Sequence, residues 1–308
     1  MSDLQPVRRI ALVGFGEVGT IFGNDLARQG LVVSTYDILL DAPAAASAMR
    51  ERARAAGVTP CATLGEALRG ADLVVSAVTA SSSRAVATDA ARWLHPGQRF
   101  LDVNSVSPET KRGNARAVEA SGADYVEAAV MAPVPPQRLA VPMLLGGRCA
   151  GALAATLKGW GMSATVAAEE IGTASAIKMC RSIMIKGLEA LVVESMFAAR
   201  RFGVEQAVLG SLDKTFPHMG WNAQLPDYLV SRVAEHGRRR AAEMREVAAT
   251  QEEVGLAPTM AAATAVRHDA LVQQMAQAGI AYPADGLFAW RALADALAAA
   301  EDPTESTK

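Results

Sequence analysis

Two hydrophobic rhythms divide this chain. In the first half, short apolar runs alternate with longer amphipathic stretches. RIALVG (9–14), LVVSTYD (31–37), DLVVSAV (72–78) and RFLDVNS (99–105) are runs of the length and β-branched character expected of buried strands. EVGTIFGNDLARQG (17–30) has helical spacing and closes at Gly30. DYVEAAVM (124–131) and VPMLLGG (141–147) continue the series across a Pro-rich loop, followed by a helix near 149–160 and a last strand, SATVA (163–167). Strands alternating with helices predict a parallel, doubly wound α/β sheet with helices on both faces. From about Gly172 the period becomes helical, with breaks at FPHMGWN, VGLAP and GIAYP. The pattern therefore predicts an α/β domain over 1–170, an all-α domain over 171–300 and a polar, disordered tail over 301–308.

Composition narrows the partners. A net charge of −2 gives no reason to expect nucleic acid or an anionic membrane surface. No stretch reaches the ~18 continuous apolar residues of a membrane span. Cys61, Cys149 and Cys180 are widely spaced, with neither a metal-ligand spacing nor a disulfide framework. The expectation is a cytoplasmic protein without a metal, acting on a small molecule.

The glycine loop supplies the first chemistry. In GFGEVG, Gly14 permits a tight turn, Gly16 lets a pyrophosphate approach the backbone, and Gly19 lets a helix pack on the sheet. The motif follows a predicted strand and opens a predicted helix, the context in which G-x-G-x-x-G marks a dinucleotide site. This is a Rossmann-type arrangement, and Gly14, Phe15, Gly16, Glu17, Val18 and Gly19 form its phosphate-binding turn. Asp37 ends the second strand, where a carboxylate accepts from the adenosine ribose hydroxyls and repels a 2′-phosphate. No lysine or arginine follows before Arg50. NAD is thus expected, with NADP disfavoured. Val78, Thr79 and Ala80 follow another strand at its carboxyl end and are expected to face the cofactor.

These motifs resemble those of the β-hydroxyacid dehydrogenase superfamily, which includes 6-phosphogluconate and 3-hydroxyisobutyrate dehydrogenases. The resemblance runs over about residues 8–300. GFGEVG matches its first motif, with Val18 where methionine is common. DVNSVSPET (102–110) is similar to D-x-S-T-x-x-P, and EAAVMAPVPP (127–136) to a substrate loop close to D-A-P-V-S-G-G. GTASAIKMCRS (172–182) is similar to G-x-G-x-x-x-K-x-x-x-N, with Lys178 on the lysine. Ala174 replaces the second glycine, Ser182 the asparagine, and the serine and glycine pair of the third motif are lost. The C-terminal half resembles a subgroup with a variant helical domain. The family's late lysine-aspartate pair survives only as Glu243 near Arg239 or Arg240.

The resemblance implies hydride transfer between a nicotinamide and a β-hydroxy acid or similar alcohol. Such a reaction needs a group that takes the hydroxyl proton. Lys178 is the candidate general acid/base, since burial or a neighbouring cation lowers a lysine from its usual ~10.4 towards the working range. At 100° per residue, Ser175, Lys178, Ser182 and Glu189 share one helical stripe, with Met184, Gly187, Leu188 and Leu191 largely opposite. Asn104 and Ser105 are expected at the substrate by resemblance, or else as caps of the helix beginning near Pro108. Met131, Ala132, Pro133 and Val134 are expected to offer backbone to the substrate, and Ser182 a hydroxyl. His218, Trp221 and Asn222 lie in a break that lines a pocket or contacts a second subunit, or else Trp221 packs in a core. His236 with Arg238, Arg239 and Arg240 binds an anion or forms a solvated face. Family members associate through the helical domain, so a homodimer is expected. Imine reduction and a non-catalytic dinucleotide-binding role are the alternatives.

Overall fold

The apolar runs of the first half become strands of a single sheet. In the computed structural model, which describes residues 7–301, these are β1 (Arg9–Val13), β2 (Val32–Tyr36), β3 (Thr59–Pro60), β4 (Leu73–Ser76), β5 (Arg99–Asp102), β6 (Asp124–Val130), β7 (Met143–Gly146) and β8 (Ala164–Ala168). Their order is β3-β2-β1-β4-β5-β6-β7-β8. Neighbours are parallel except β6 and β7, which run antiparallel. The expected doubly wound parallel sheet is thus present, with one antiparallel pair. Residues 131–142 contain only short turns of helix, and a parallel return needs a full crossover element.

Helices cover both faces: α1 (Glu17–Arg28), α2 (Ala46–Ala55), α3 (Leu64–Leu68), α4 (Ser83–Ala90), α5 (Pro108–Glu119), the short α6 (Val134–Gln137) and α7 (Ala150–Gly159). Leu12, Val75, Leu101 and Val126 pack on one side of the sheet. Ala11, Val74, Phe100 and Tyr125 pack on the other. Burial on both faces explains why these strands read as continuous apolar runs and not as alternating ones.

The next helix, α8 (Thr173–Arg201), is 29 residues long. The chain divides within it, between Met179 and Cys180, into two compact units. The second unit holds the rest of α8 with α9 (Glu205–Thr215), α10 (Leu225–Glu253), α11 (Thr259–Gln277) and α12 (Trp290–Glu301). Among the described residues no strand follows β8. The predicted breaks separate α9 from α10, α10 from α11 and α11 from α12. Glu301, expected in the tail, ends α12, while 302–308 lie outside the described residues. No helix among the described residues is long and apolar enough to cross a membrane.

The helical unit is built around Val193, Met196, Trp221, Val230, Val233, Leu271 and Trp290. Beside this core lies a buried ionic cluster. Lys186 donates to Glu243 at 2.5 Å, and Arg240 grips both carboxylate oxygens of Glu189, with Nε at 2.7 Å. Three polar positions of α8 in this unit, Ser182, Lys186 and Glu189, are buried, while Met184 is 74 % and Leu191 56 % exposed. His268 is wholly buried next to Glu189, and neither ring nitrogen has a hydrogen-bond partner among the described residues. Desolvation, then the charges of Arg240 and Lys186, push its pKa down to about 4.

That depression couples stability to pH. The unfolded imidazole takes a proton near pH 6.5 and the folded one near 4. Stability is therefore full above about pH 6.5 and declines as the pH falls towards 4, by about 3 kcal/mol from this group. Urea unfolding of the helical unit followed at pH 7 and pH 4.5 should show the decline. A His268→Leu variant should lose that part of it.

Candidate dinucleotide and catalytic site

The glycine turn sits where the sheet changes winding direction. β1 lies between β2 and β4, so the chain leaves it to opposite sides, and ligands of such sheets bind at that crevice. Gly14 has φ +89°, and a Cβ there would lie 2.5 Å from the Ala77 carbonyl oxygen. A Cβ on Gly19 would overlap the Gly14 carbonyl oxygen. Gly16 differs: a Cβ there would meet no protein atom within 4 Å. Packing does not demand glycine at that position, and the open space would admit a phosphate close to the backbone. Gly16 is also the N-cap of α1, with no side-chain cap among the described residues. The leading N–H groups of the helix have no intrahelical acceptor, which suits an anion.

Asp37 braces this turn. Its Oδ2 accepts from the Phe15 N–H at 2.7 Å and its Oδ1 from the Leu39 N–H at 2.9 Å. A carboxylate offers about four acceptor positions, so ribose hydroxyls can still be accommodated. Phe15 itself packs into the core with no exposed surface, and its N–H is taken by Asp37. Phe15, expected in the phosphate-binding turn, thus has a structural role within it. Nearby, burial and the Asp41 carboxylate push the Tyr36 hydroxyl up to about 12. Val78, Thr79 and Ala80 leave the carboxyl end of β4, with Thr79 Oγ1 3.0 Å from Ser82 Oγ.

Beneath the strand ends lies a buried polar network. Lys111 Nζ, fully buried, donates to Asp102 Oδ1 at 2.9 Å and to the Asp102 carbonyl at 2.7 Å. Tyr125 Oη and Asn114 Nδ2 donate to Asp102 Oδ2 at 2.8 and 3.0 Å. Burial, then the Asp102 charge, holds the Tyr125 hydroxyl well above its usual range. Removing one partner of such a buried pair typically costs about 3–5 kcal/mol. Asn104 belongs to this scaffold. Its Oδ1 accepts from the Val78 N–H at 2.7 Å, and its Nδ2 donates to Ser76 Oγ at 3.0 Å and Ser83 Oγ at 3.3 Å. Asn104, expected at the substrate, is buried with its amide engaged at both ends, which ties the β4 and β5 loops together.

Ser105 lies beyond β5, which stops at Asp102. The cap of α5 is Ser107, whose Oγ accepts from the Thr110 N–H. Ser105 is thereby released from capping, and its Oγ accepts from Lys178 Nζ at 2.5 Å. Both side chains are half-buried. Lys178 comes from the second turn of α8, whose start is held by Glu127. That carboxylate, fully buried on β6, accepts from the N–H groups of Gly172 (2.6 Å), Ala174 (3.2 Å) and Ser175 (3.3 Å) and from Ser175 Oγ (2.6 Å).

Met131, Ala132, Pro133 and Val134 follow β6 at the same sheet edge, since β6 is parallel to β5. The Met131 N–H donates to the Pro142 carbonyl at 2.8 Å, Pro133 is exposed, and Val134 is buried at the start of α6. Ser182 is buried one turn after Lys178. In the helical unit, Trp221 is a core residue, tilted against Phe216 at 6.5 Å. Arg240 is paired with Glu189, and Arg239 with Glu243 at 2.8 Å. His236 Nε2 lies 3.2 Å from Glu235.

Glu127, Asp102, Lys111, Asn114 and Tyr125 were not among the expected site residues. A signal exists for two of them. An acid inside an apolar run that becomes a doubly covered strand must find partners, and both DYVEAAV and RFLD contain one. Which partners it finds is not written in the run.

Residues 9–148 match the NAD binding domain of 6-phosphogluconate dehydrogenase, and residues 199–271 match a domain of unknown function, DUF1932. A conserved hypothetical protein from Sinorhizobium meliloti 1021 is 37 % identical across 96 % of this chain and 98 % of its own, with a TM-score of 0.76. A conserved protein of unknown function, described as structurally similar to 3-hydroxyacid dehydrogenases, is 31 % identical over 86 % and 98 % of the two chains, with a TM-score of 0.66. The 3-hydroxyisobutyrate dehydrogenase of Mycobacterium tuberculosis shares the fold at 18 % identity and a TM-score of 0.70, over 95 % and 99 %. With a glycine turn that fits a dinucleotide and these relatives, the chain belongs to the β-hydroxyacid dehydrogenase superfamily of nicotinamide-dependent oxidoreductases.

Proposed function

We propose that this protein is an NAD-dependent dehydrogenase of a β-hydroxy acid or a related primary or secondary alcohol, with Lys178 as general acid/base. The observation that carries the proposal is the Lys178 Nζ to Ser105 Oγ bond of 2.5 Å, at the sheet edge that also bears the glycine turn. Residues 1–170 form the cofactor domain, and 171–300 the substrate and dimerisation domain.

When bound, the nicotinamide exchanges a hydride with the substrate carbon. Backbone N–H groups of Gly16, Glu17 and Val18 hold the pyrophosphate. Asp37 takes the adenosine ribose, and Val78, Thr79 and Ala80 lie along the cofactor. Lys178 accepts the hydroxyl proton at Nζ during oxidation and returns it to the carbonyl oxygen during reduction. Ser105 presents its hydroxyl to the same substrate oxygen or carboxylate and keeps Nζ aimed. Backbone of Met131, Ala132, Pro133 and Val134 shapes the opposite wall, and the Ser182 hydroxyl stands in the place of the family's asparagine. Asn104 contributes through Val78, which it holds. Asp37, with Asp41 close by, sets the preference for NAD, since like charges oppose a 2′-phosphate. Support for a homodimer comes from the apolar surface of the helical unit, where Met184, Leu191 and Val266 are exposed. The cytoplasm is the proposed location.

A panel of hydroxy acids and of aryl and amino alcohols, assayed by nicotinamide absorbance, tests the reaction. Lys178→Ala should lower kcat about 100- to 10,000-fold while NADH binding persists; turnover near wild type would remove Lys178 from the mechanism. A protein that only senses dinucleotide would bind NADH and show no turnover to lose. For the cofactor, kcat/KM should favour NAD over NADP by about 100-fold, and Asp37→Ser should shrink that ratio. An unchanged ratio would place the discrimination elsewhere. Analytical ultracentrifugation should show a dimer, and Leu191→Asp should shift it towards monomer.

A further inference from the structure

Resting on the reading of Lys178 as the proton-handling group, the structure explains what aims that lysine. A helix start leaves four N–H groups without intrahelical acceptors, and the usual remedy is a side chain from the adjoining residue. A cap of that kind ties a helix only to its own preceding turn. In α8 the cap comes instead from a strand far earlier in the chain. Glu127 accepts from Gly172, Ala174 and Ser175, using both carboxylate oxygens. The helix start is thereby tied to the sheet.

The sheet register adds the second half of the geometry. Glu127 on β6 stands directly opposite Asp102 on β5. Ser105 leaves β5 just past Asp102, and Lys178 stands one turn beyond Ser175, on the same helical face. Both ends of the Lys178–Ser105 bond are thus measured from a single rung of the sheet. Gly146, paired with Glu127 on β7, completes the arrangement, since a Cβ there would come within 2.5 Å of Glu127 Oε1. The sequence leaves that space for the carboxylate.

We propose that Glu127 is a positioning residue, which fixes the register of the first turns of α8 and so presents Lys178 Nζ to Ser105. The test compares wild type with Glu127→Gln, which keeps the shape but turns an NH2 group towards backbone donors. Three quantities are read: amide exchange of residues 172–179 by mass spectrometry, acetylation of Lys178 by an N-hydroxysuccinimide ester relative to Lys158, and steady-state kinetics on the hydroxy-acid and alcohol panel. In Glu127→Gln the amides of 172–179 should exchange about tenfold faster. Lys178 should acetylate several-fold faster as its bond to Ser105 loosens. The kcat should fall about 100-fold, as misplacement by about 1 Å can cost, while KM for NAD stays at the wild-type value. A cap that matters only for stability would lower the melting temperature and leave Lys178 acetylation and kcat unchanged, and that result overturns the proposal. If Glu127→Gln does not fold, Gly146→Ala displaces the carboxylate without removing it and should give the same changes in weaker form; wild-type acetylation in that variant also overturns it. The two readings fail separately. An active Lys178→Ala variant removes the catalytic role of the lysine, while exchange and acetylation still decide whether Glu127 aims it. An inactive Lys178→Ala beside a fully active Glu127→Gln removes only the positioning role.

Discussion

A buried carboxylate on β6 holds the start of α8, the helix that carries Lys178. Glu127 binds three backbone N–H groups and one hydroxyl at the head of α8. Burying an acid is unfavourable unless its oxygens are satisfied. Here the helix start, whose donors are equally in need of acceptors, satisfies them. Each group removes the other's desolvation penalty, and the exchange fixes a helix on a sheet. Lys178 reaches Ser105 from that helix, and Ser105 comes from the neighbouring strand.

A second buried acid does similar work one strand away. Asp102 gathers Lys111, Asn114 and Tyr125, and Asn104 links the loop after β5 to Val78. These bonds hold the loops at the carboxyl ends of β4 and β5 in one arrangement. Two polar centres thus stand inside an apolar sheet. The candidate side chains Lys178 and Ser105 beyond them are only half-buried.

One stretch of α8 in the helical unit inverts the usual partition. Along α8, Ser182, Lys186 and Glu189 face inward while Met184 and Leu191 face outward. Lys186 with Glu243, and Arg240 with Glu189, make the inward charges tolerable. Such pairs gain little over apolar packing but cost much when one partner is lost. They reject other registers of α8 against α10, since a slipped helix would bury a charge alone.

Much of this protein was legible in its sequence. Local period identified strands and helices because both faces of the sheet are covered and the later helices are amphipathic. The glycine turn was legible because Gly14 and Gly19 are demanded by backbone approach within one βα unit. Lys178 and Ser105 were named from motifs, and the structure joins them. The rest depended on distance along the chain. Asn104 and Ser105 are adjacent and chemically alike, yet one is a buried tie and the other accepts from the lysine, because Ser107 and not either of them caps α5. Polarity on α8 gave no hint of which face turns inward, since the partners that neutralise it stand on α10. The sequence by itself determined the elements and the glycine turn, both set by short-range sterics and periodicity. Only the tertiary structure decided that Glu127 meets the start of α8, because a buried acid must be satisfied but does not say by which distant donors.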